Sequence, residues 1–67
     1  MKVYARIRSY IEQNGMDADT VAYKAGISPA VFKKMLDGRR TIYSEQYKAI
    51  CQALGVGAET FLDIKLA

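Results

Sequence analysis

The sequence has no histidine and no tryptophan, and only one cysteine and one proline among 67 residues. Without histidine, the imidazole ligands of ordinary zinc sites and the usual base of a nucleophilic triad are missing. A lone thiol, Cys51, cannot close a disulfide within the chain, which excludes a disulfide-stapled secreted scaffold and fits a reducing compartment. Uninterrupted apolar stretches are only a few residues long, against the ~20 needed to span a bilayer. The start, Met1-Lys2-Val3-Tyr4-Ala5-Arg6, carries no signal-peptide core. The carboxylates Glu12, Asp17, Asp19, Asp37, Glu45, Glu59 and Asp63 are scattered and form no acid–base pair, and no glycine-rich phosphate cradle is present. These absences lead us to expect a cytoplasmic protein with no catalysis, cofactor, metal or membrane attachment. Cys51, on an apolar stripe, reads as an inert buried thiol.

What is present is a chain that should fold, being 51% apolar with no low-complexity run. A core of this size buries only about 60% of the unfolded chain's surface, so residues 1–67 form one domain. Ten Lys and Arg against seven Asp and Glu leave +3, which permits a nucleic-acid partner without requiring one. Val3, Ile7, Tyr10 and Ile11 recur at helical spacing up to Asn14-Gly15, a pair suited to a left-handed cap, which predicts a first helix over 2–14. Asp17 is an N-cap, and Val21, Ala22 and Ala25 make a narrow apolar face ending at Gly26, a second helix over 18–25. Ser28 followed by Pro29 is a hydroxyl cap with proline in the first turn, opening a third helix over 29–37. Thr41 and Ser44 are rival caps for a fourth helix over 43–54, whose apolar positions are Tyr47, Ile50, Cys51 and Leu54. The tail begins as a fifth helix over 58–64, yet Leu62, Ile64 and Leu66 alternate with Asp63 and Lys65 at the period of a strand.

Two short helices joined by the three-residue turn Gly26-Ile27-Ser28 have helix-turn-helix geometry, with glycine where the chain turns left-handed and Ala22 small enough for close packing. The string from Asp17 to Arg40 resembles the Cro and phage-repressor type of helix-turn-helix family. Ala22 stands inside the second helix, and Gly26 with Ile27 opens the turn. Phe32 and Met35 anchor the third helix, Gly38 with Arg39 follows it, and Ala53-Leu54-Gly55-Val56 ends the fourth. The likeness spans about 7–61. It implies an all-α, five-helix bundle of the lambda-repressor-like DNA-binding type, with the third helix in the major groove of double-stranded DNA. Ser28, Pro29, Ala30, Lys33 and Lys34 are then the base-contacting candidates: the lysines donate to guanine O6 and N7, Ser28 to a base or phosphate, and the Ala30 methyl meets a thymine methyl. Arg39 and Arg40, with Tyr43 and Lys24, are the phosphate-contacting candidates. From Lys24 to Lys48 six cations face two carboxylates, a balance of +4, while the rest of the chain sums to −1.

Three departures from the family pattern matter. Ala18, between Asp17 and Asp19, stands where a phosphate-binding Gln is common, and Pro29-Ala30 supplies no side-chain hydrogen bond at the base-reading start of the third helix. Modest sequence specificity is therefore expected. Ile11 and Leu36 replace a common Arg–Glu pair, which an apolar contact can do without loss of stability. The resemblance implies a small transcriptional repressor acting as a homodimer. Phe61, Leu62, Ile64 and Leu66 either close the core or form the dimer surface. An antitoxin of a toxin–antitoxin pair, or an interaction module that has lost DNA binding, shares the same features.

Overall fold

The helical spacings put Ile7 and Ile11, Val21 and Ala22, Phe32 with Met35 and Leu36, and Ile50 with Cys51 and Leu54 on single faces. Those faces meet as the core of the computed structural model, which describes residues 2–61. The elements are α1 (Val3–Gln13), α2 (Ala18–Ala25), α3 (Pro29–Leu36), α4 (Ser44–Leu54) and a 3-10 turn, Ala58–Phe61. There is no strand among the described residues. α2 packs against both α3 and α4, α1 against α3, and the 3-10 turn sits on α1 and α4. Phe32, Ile7, Met35, Ile50 and Val21 are the largest fully buried side chains, each stabilising the fold by about 1.5–3 kcal/mol of apolar transfer. Among the described residues no polar or charged side chain is buried. The interior is held by packing, and every charge of the described residues lies outside it.

The helix limits follow from local chemistry. Asp17 accepts a bond from the Asp19 N–H at 3.2 Å, and its other oxygen accepts from the Thr20 hydroxyl at 3.0 Å, so the expected cap is in place. α2 ends at Gly26, whose φ of 71° is left-handed, and the Ile27 N–H returns to the Ala22 carbonyl at 2.9 Å. Ser28 holds the N-cap position of α3 as expected, yet its hydroxyl makes no capping bond; Pro29 supplies the helix start through its fixed φ instead. At α4 neither rival caps the helix. Tyr43 takes the N-cap position and its N–H donates to Gln46 Oε1 at 3.1 Å, so a glutamine reaching back replaces a hydroxyl reaching forward. The described part of the fifth helix expected over 58–64 is the four-residue 3-10 turn, and 62–64 lie outside the described residues, as does the rest of the alternating tail.

Three tyrosines fasten the ends of the fold. The Tyr4 ring lies over Gly38, so closely that a Cβ at Gly38 would stand 2.6 Å from Tyr4 Cζ. This contact sets the start of α1 against the turn that follows α3. On the other side the Tyr47 hydroxyl donates to the Ala58 carbonyl, and Phe61 meets Tyr10 edge-on with ring centroids 5.6 Å apart.

Gly38 has φ +76° and the Tyr4 ring against it, whereas Gly15 has φ +61° and open space. Gly38→Ala should destabilise by about 1–3 kcal/mol through backbone strain and displacement of the ring, and by clearly more than Gly15→Ala. Equal losses in urea titrations would remove the Tyr4 contact from the cause. Burial, with the neighbouring Cys51 thiol adding to it, pushes the Tyr47 hydroxyl up from 10.0 to about 12. The folded chain then keeps a proton that the unfolded chain loses first, so Tyr47 contributes stability below pH 10 that disappears as pH rises to about 12. Tyr47→Phe should flatten that slope in denaturation measured from pH 9 to 12.

Candidate nucleic-acid interface

α3 buries Phe32, Met35 and Leu36 against its neighbours and leaves Ala30, Lys33, Lys34 and Asp37 exposed. Those four positions are spaced i, i+3, i+4 and i+7, so the outer side of α3 and its C-cap is one continuous stripe. Eight residues give α3 a length of about 12 Å, comparable with the width of a DNA major groove. Of the candidates at its start, Ser28 and Ala30 are exposed and Pro29 is half-buried. The Ser28 hydroxyl, released from capping, is free to donate outward.

The stripe has one carboxylate, Asp37, and the structure supplies it with a partner. Arg8 of α1 approaches Asp37 with N···O 3.8 Å, both side chains nearly half exposed. An exposed pair of this kind adds less than about 1 kcal/mol of stability, but it offsets the one negative charge on the outer side of α3. It also links α1 to the end of α3, two elements that pack together and bury Ile11 and Leu36, 4% and 7% exposed, in the same core. Chain separation hid this pairing, because Arg8 lies outside the basic stretch from Lys24 to Lys48.

Lys24, Lys33, Lys34, Arg39, Arg40 and Lys48 are all exposed, and none has a carboxylate partner among the described residues. Arg39 and Arg40 stand in the turn after α3, fixed by Gly38 under the Tyr4 ring; the Arg39 N–H returns to the Lys34 carbonyl at 2.9 Å. Tyr43, 66% exposed, uses its backbone N–H at the start of α4 and leaves its phenol outward. Lys24 stands exposed in the last turn of α2. Lys2 also comes beside Arg39, Arg40 and Lys48, around the cleft between α1 and α4. Sequence reasoning gave Lys2 no role, since nothing local signals that the start of α1 returns to the turn after α3.

Of the four residues considered for a dimer surface, Phe61 is 3% exposed and packs within its own chain, so it closes the core and offers almost nothing to a partner. Leu62, Ile64 and Leu66 lie outside the described residues. Among the described residues no helix is long and apolar enough to cross a membrane, and no cluster of three or more His, Cys, Asp or Glu stands ready for a metal ion.

Comparison with curated proteins and comparison with solved structures each return no match. A family model described as the Cro/C1-type HTH DNA-binding domain matches residues 6–66. With α2, its left-handed glycine turn and α3 inside a match that spans nearly the whole sequence, the chain belongs to the Cro/C1-type helix-turn-helix DNA-binding family.

Proposed function

We propose that this protein is a transcriptional repressor of the cytoplasm that occupies an operator in double-stranded DNA as a homodimer. α3 lies in the major groove, and Arg39 and Arg40 grip the flanking phosphates. The observation that carries this reading is the exposed stripe of Ala30, Lys33 and Lys34, continued by the exposed Arg39 and Arg40, with its one carboxylate engaged by Arg8. Positive charge clustered beside an insertable helix is what phosphate attraction needs. Ser28, Lys33 and Lys34 supply donors to base edges, while Pro29 and Ala30 offer shape and a methyl group. Lys24 and the Tyr43 hydroxyl add phosphate contacts at either side.

Lysine presents a point charge rather than a planar fork, so sequence discrimination rests on few hydrogen bonds and selectivity is modest. Dimerisation through Leu62, Ile64 and Leu66 is supported by their alternation with charged residues in the sequence. Two subunits would set their recognition helices about 34 Å apart on a pseudo-palindrome. One observation favours a second reading, an interaction module: the exposed carboxylates of Asp17 and Asp19 at the start of α2, which repel a phosphate backbone.

Selection of bound duplexes from random DNA, followed by affinity measurement across salt, separates these roles. Lys34→Ala should cost about 1–3 kcal/mol at one or two base positions, whereas Arg39→Ala should weaken all sequences alike and reduce the salt slope by about 1. Absence of duplex binding at low salt would replace the repressor with the interaction module. Sedimentation showing a monomer with and without DNA would remove the homodimer.

A further inference from the structure

Between the start of α1, the turn after α3 and the start of α4 lies a cleft of about 700 Å3. Its half-buried wall includes Tyr4 and Tyr47, and four exposed cations, Lys2, Arg39, Arg40 and Lys48, ring it; none of its lining residues among those described is a carboxylate, although the Glu59 charge acts on Tyr47. We propose that this cleft binds a small organic anion with an aromatic or short apolar body, and that its occupant competes with DNA for Arg39 and Arg40. The competition, though not the binding itself, rests on the repressor reading above.

Three features support a built site. The volume lies within the range of about 300–1,000 Å3 usual for small-molecule pockets. Its walls are held before any ligand arrives, with the Tyr4 ring seated over Gly38 and the Tyr47 hydroxyl donating to the Ala58 carbonyl, so little ordering is lost on binding. Apolar wall and cationic rim ask for different parts of one molecule: an aromatic body leaves water against the tyrosines while its anionic head meets the lysines and arginines. A bare phosphate satisfies only the rim, and an uncharged ring only the wall. Lys2 and Lys48 lie off the outer stripe of α3, so groove insertion of that helix leaves them without a task.

The probe is 2-naphthoate, titrated at low salt into the whole chain without DNA and followed by amide NMR shifts. Its neutral counterpart 2-naphthamide and inorganic phosphate serve as the two half-ligands. Saturable shifts at Gly38, Arg39, Arg40 and Lys48 are expected with Kd below about 1 mM, and the two half-ligands should bind at least about tenfold more weakly. Lys48→Gln and Lys2→Gln, both at exposed positions, should each weaken 2-naphthoate by about threefold or more while leaving the melting temperature unchanged. Near saturation, 2-naphthoate should raise the Kd for DNA at least about threefold in the wild type and less in Lys48→Gln. Shifts absent up to about 10 mM, or 2-naphthamide binding as tightly as 2-naphthoate, would overturn the site. Phosphate binding as tightly as 2-naphthoate would reassign the cleft to the DNA backbone. Saturable binding without any effect on DNA affinity would overturn the competition alone, and a chain that binds 2-naphthoate but no DNA would count against the repressor reading and leave the site standing.

Discussion

The reversal between α2 and α3 is the constraint on which the rest depends. Only two residues and a cap separate a helix that must bury Val21 and Ala22 from one that must bury Phe32 and Met35, and both faces point at the same core. The return of the Ile27 N–H to the Ala22 carbonyl is possible because Gly26 adopts a left-handed conformation without a Cβ to oppose it. Once that bond closes, Ile27 is pulled inward to 9% exposure and Pro29 starts α3 at a set angle. The wholly buried Ala22 adds closeness, since a larger side chain there would wedge the two helices apart. The outward direction of Lys33 and Lys34 is therefore a consequence of how α2 ends.

Among the described residues the buried core is wholly apolar, and this determines where charge can do work. No charged side chain is buried among the described residues, so the exposed cations Lys24, Lys33, Lys34, Arg39, Arg40 and Lys48 keep their hydration and their reach. The chain then edits its own surface. Arg8 from α1 takes Asp37, and the six cations from Lys24 to Lys48 have no carboxylate partner among the described residues. Two linkages join α1 to the end of α3, shared burial in the core and the ion pair of Arg8 with Asp37. They act together because one stabilises by burial and the other tunes the field.

The four α-helices were legible to within a residue or two, since stripes of apolar residues punctuated by Asp17, Pro29 and glycine stops encode both face and end. Caps were less legible. Ser28 and Thr41 have the right chemistry and yet do not cap, because proline already sets one helix start and Gln46 reaches back to the other. The exposed side of α3 was readable from its period, and so was the run of cations into Arg39 and Arg40, because both are local. Lys2, Arg8 and the seat of Tyr4 on Gly38 escaped, since each joins residues about 30 or more apart with no periodicity between them.

By itself the sequence determined the four helices within residues 2–61, a turn-linked pair among them and a local excess of positive charge, in a chain with no histidine and a single cysteine. Spacing and capping act over three or four residues, so they can be read without knowing what lies opposite. Tertiary structure decided which charges remain unpaired, that Phe61 closes the core rather than facing outward, and that Lys2 joins Arg39, Arg40 and Lys48 around one cleft. The physical reason is range: helix signals are local, whereas pairing of charges and enclosure of space depend on which distant segments packing brings together.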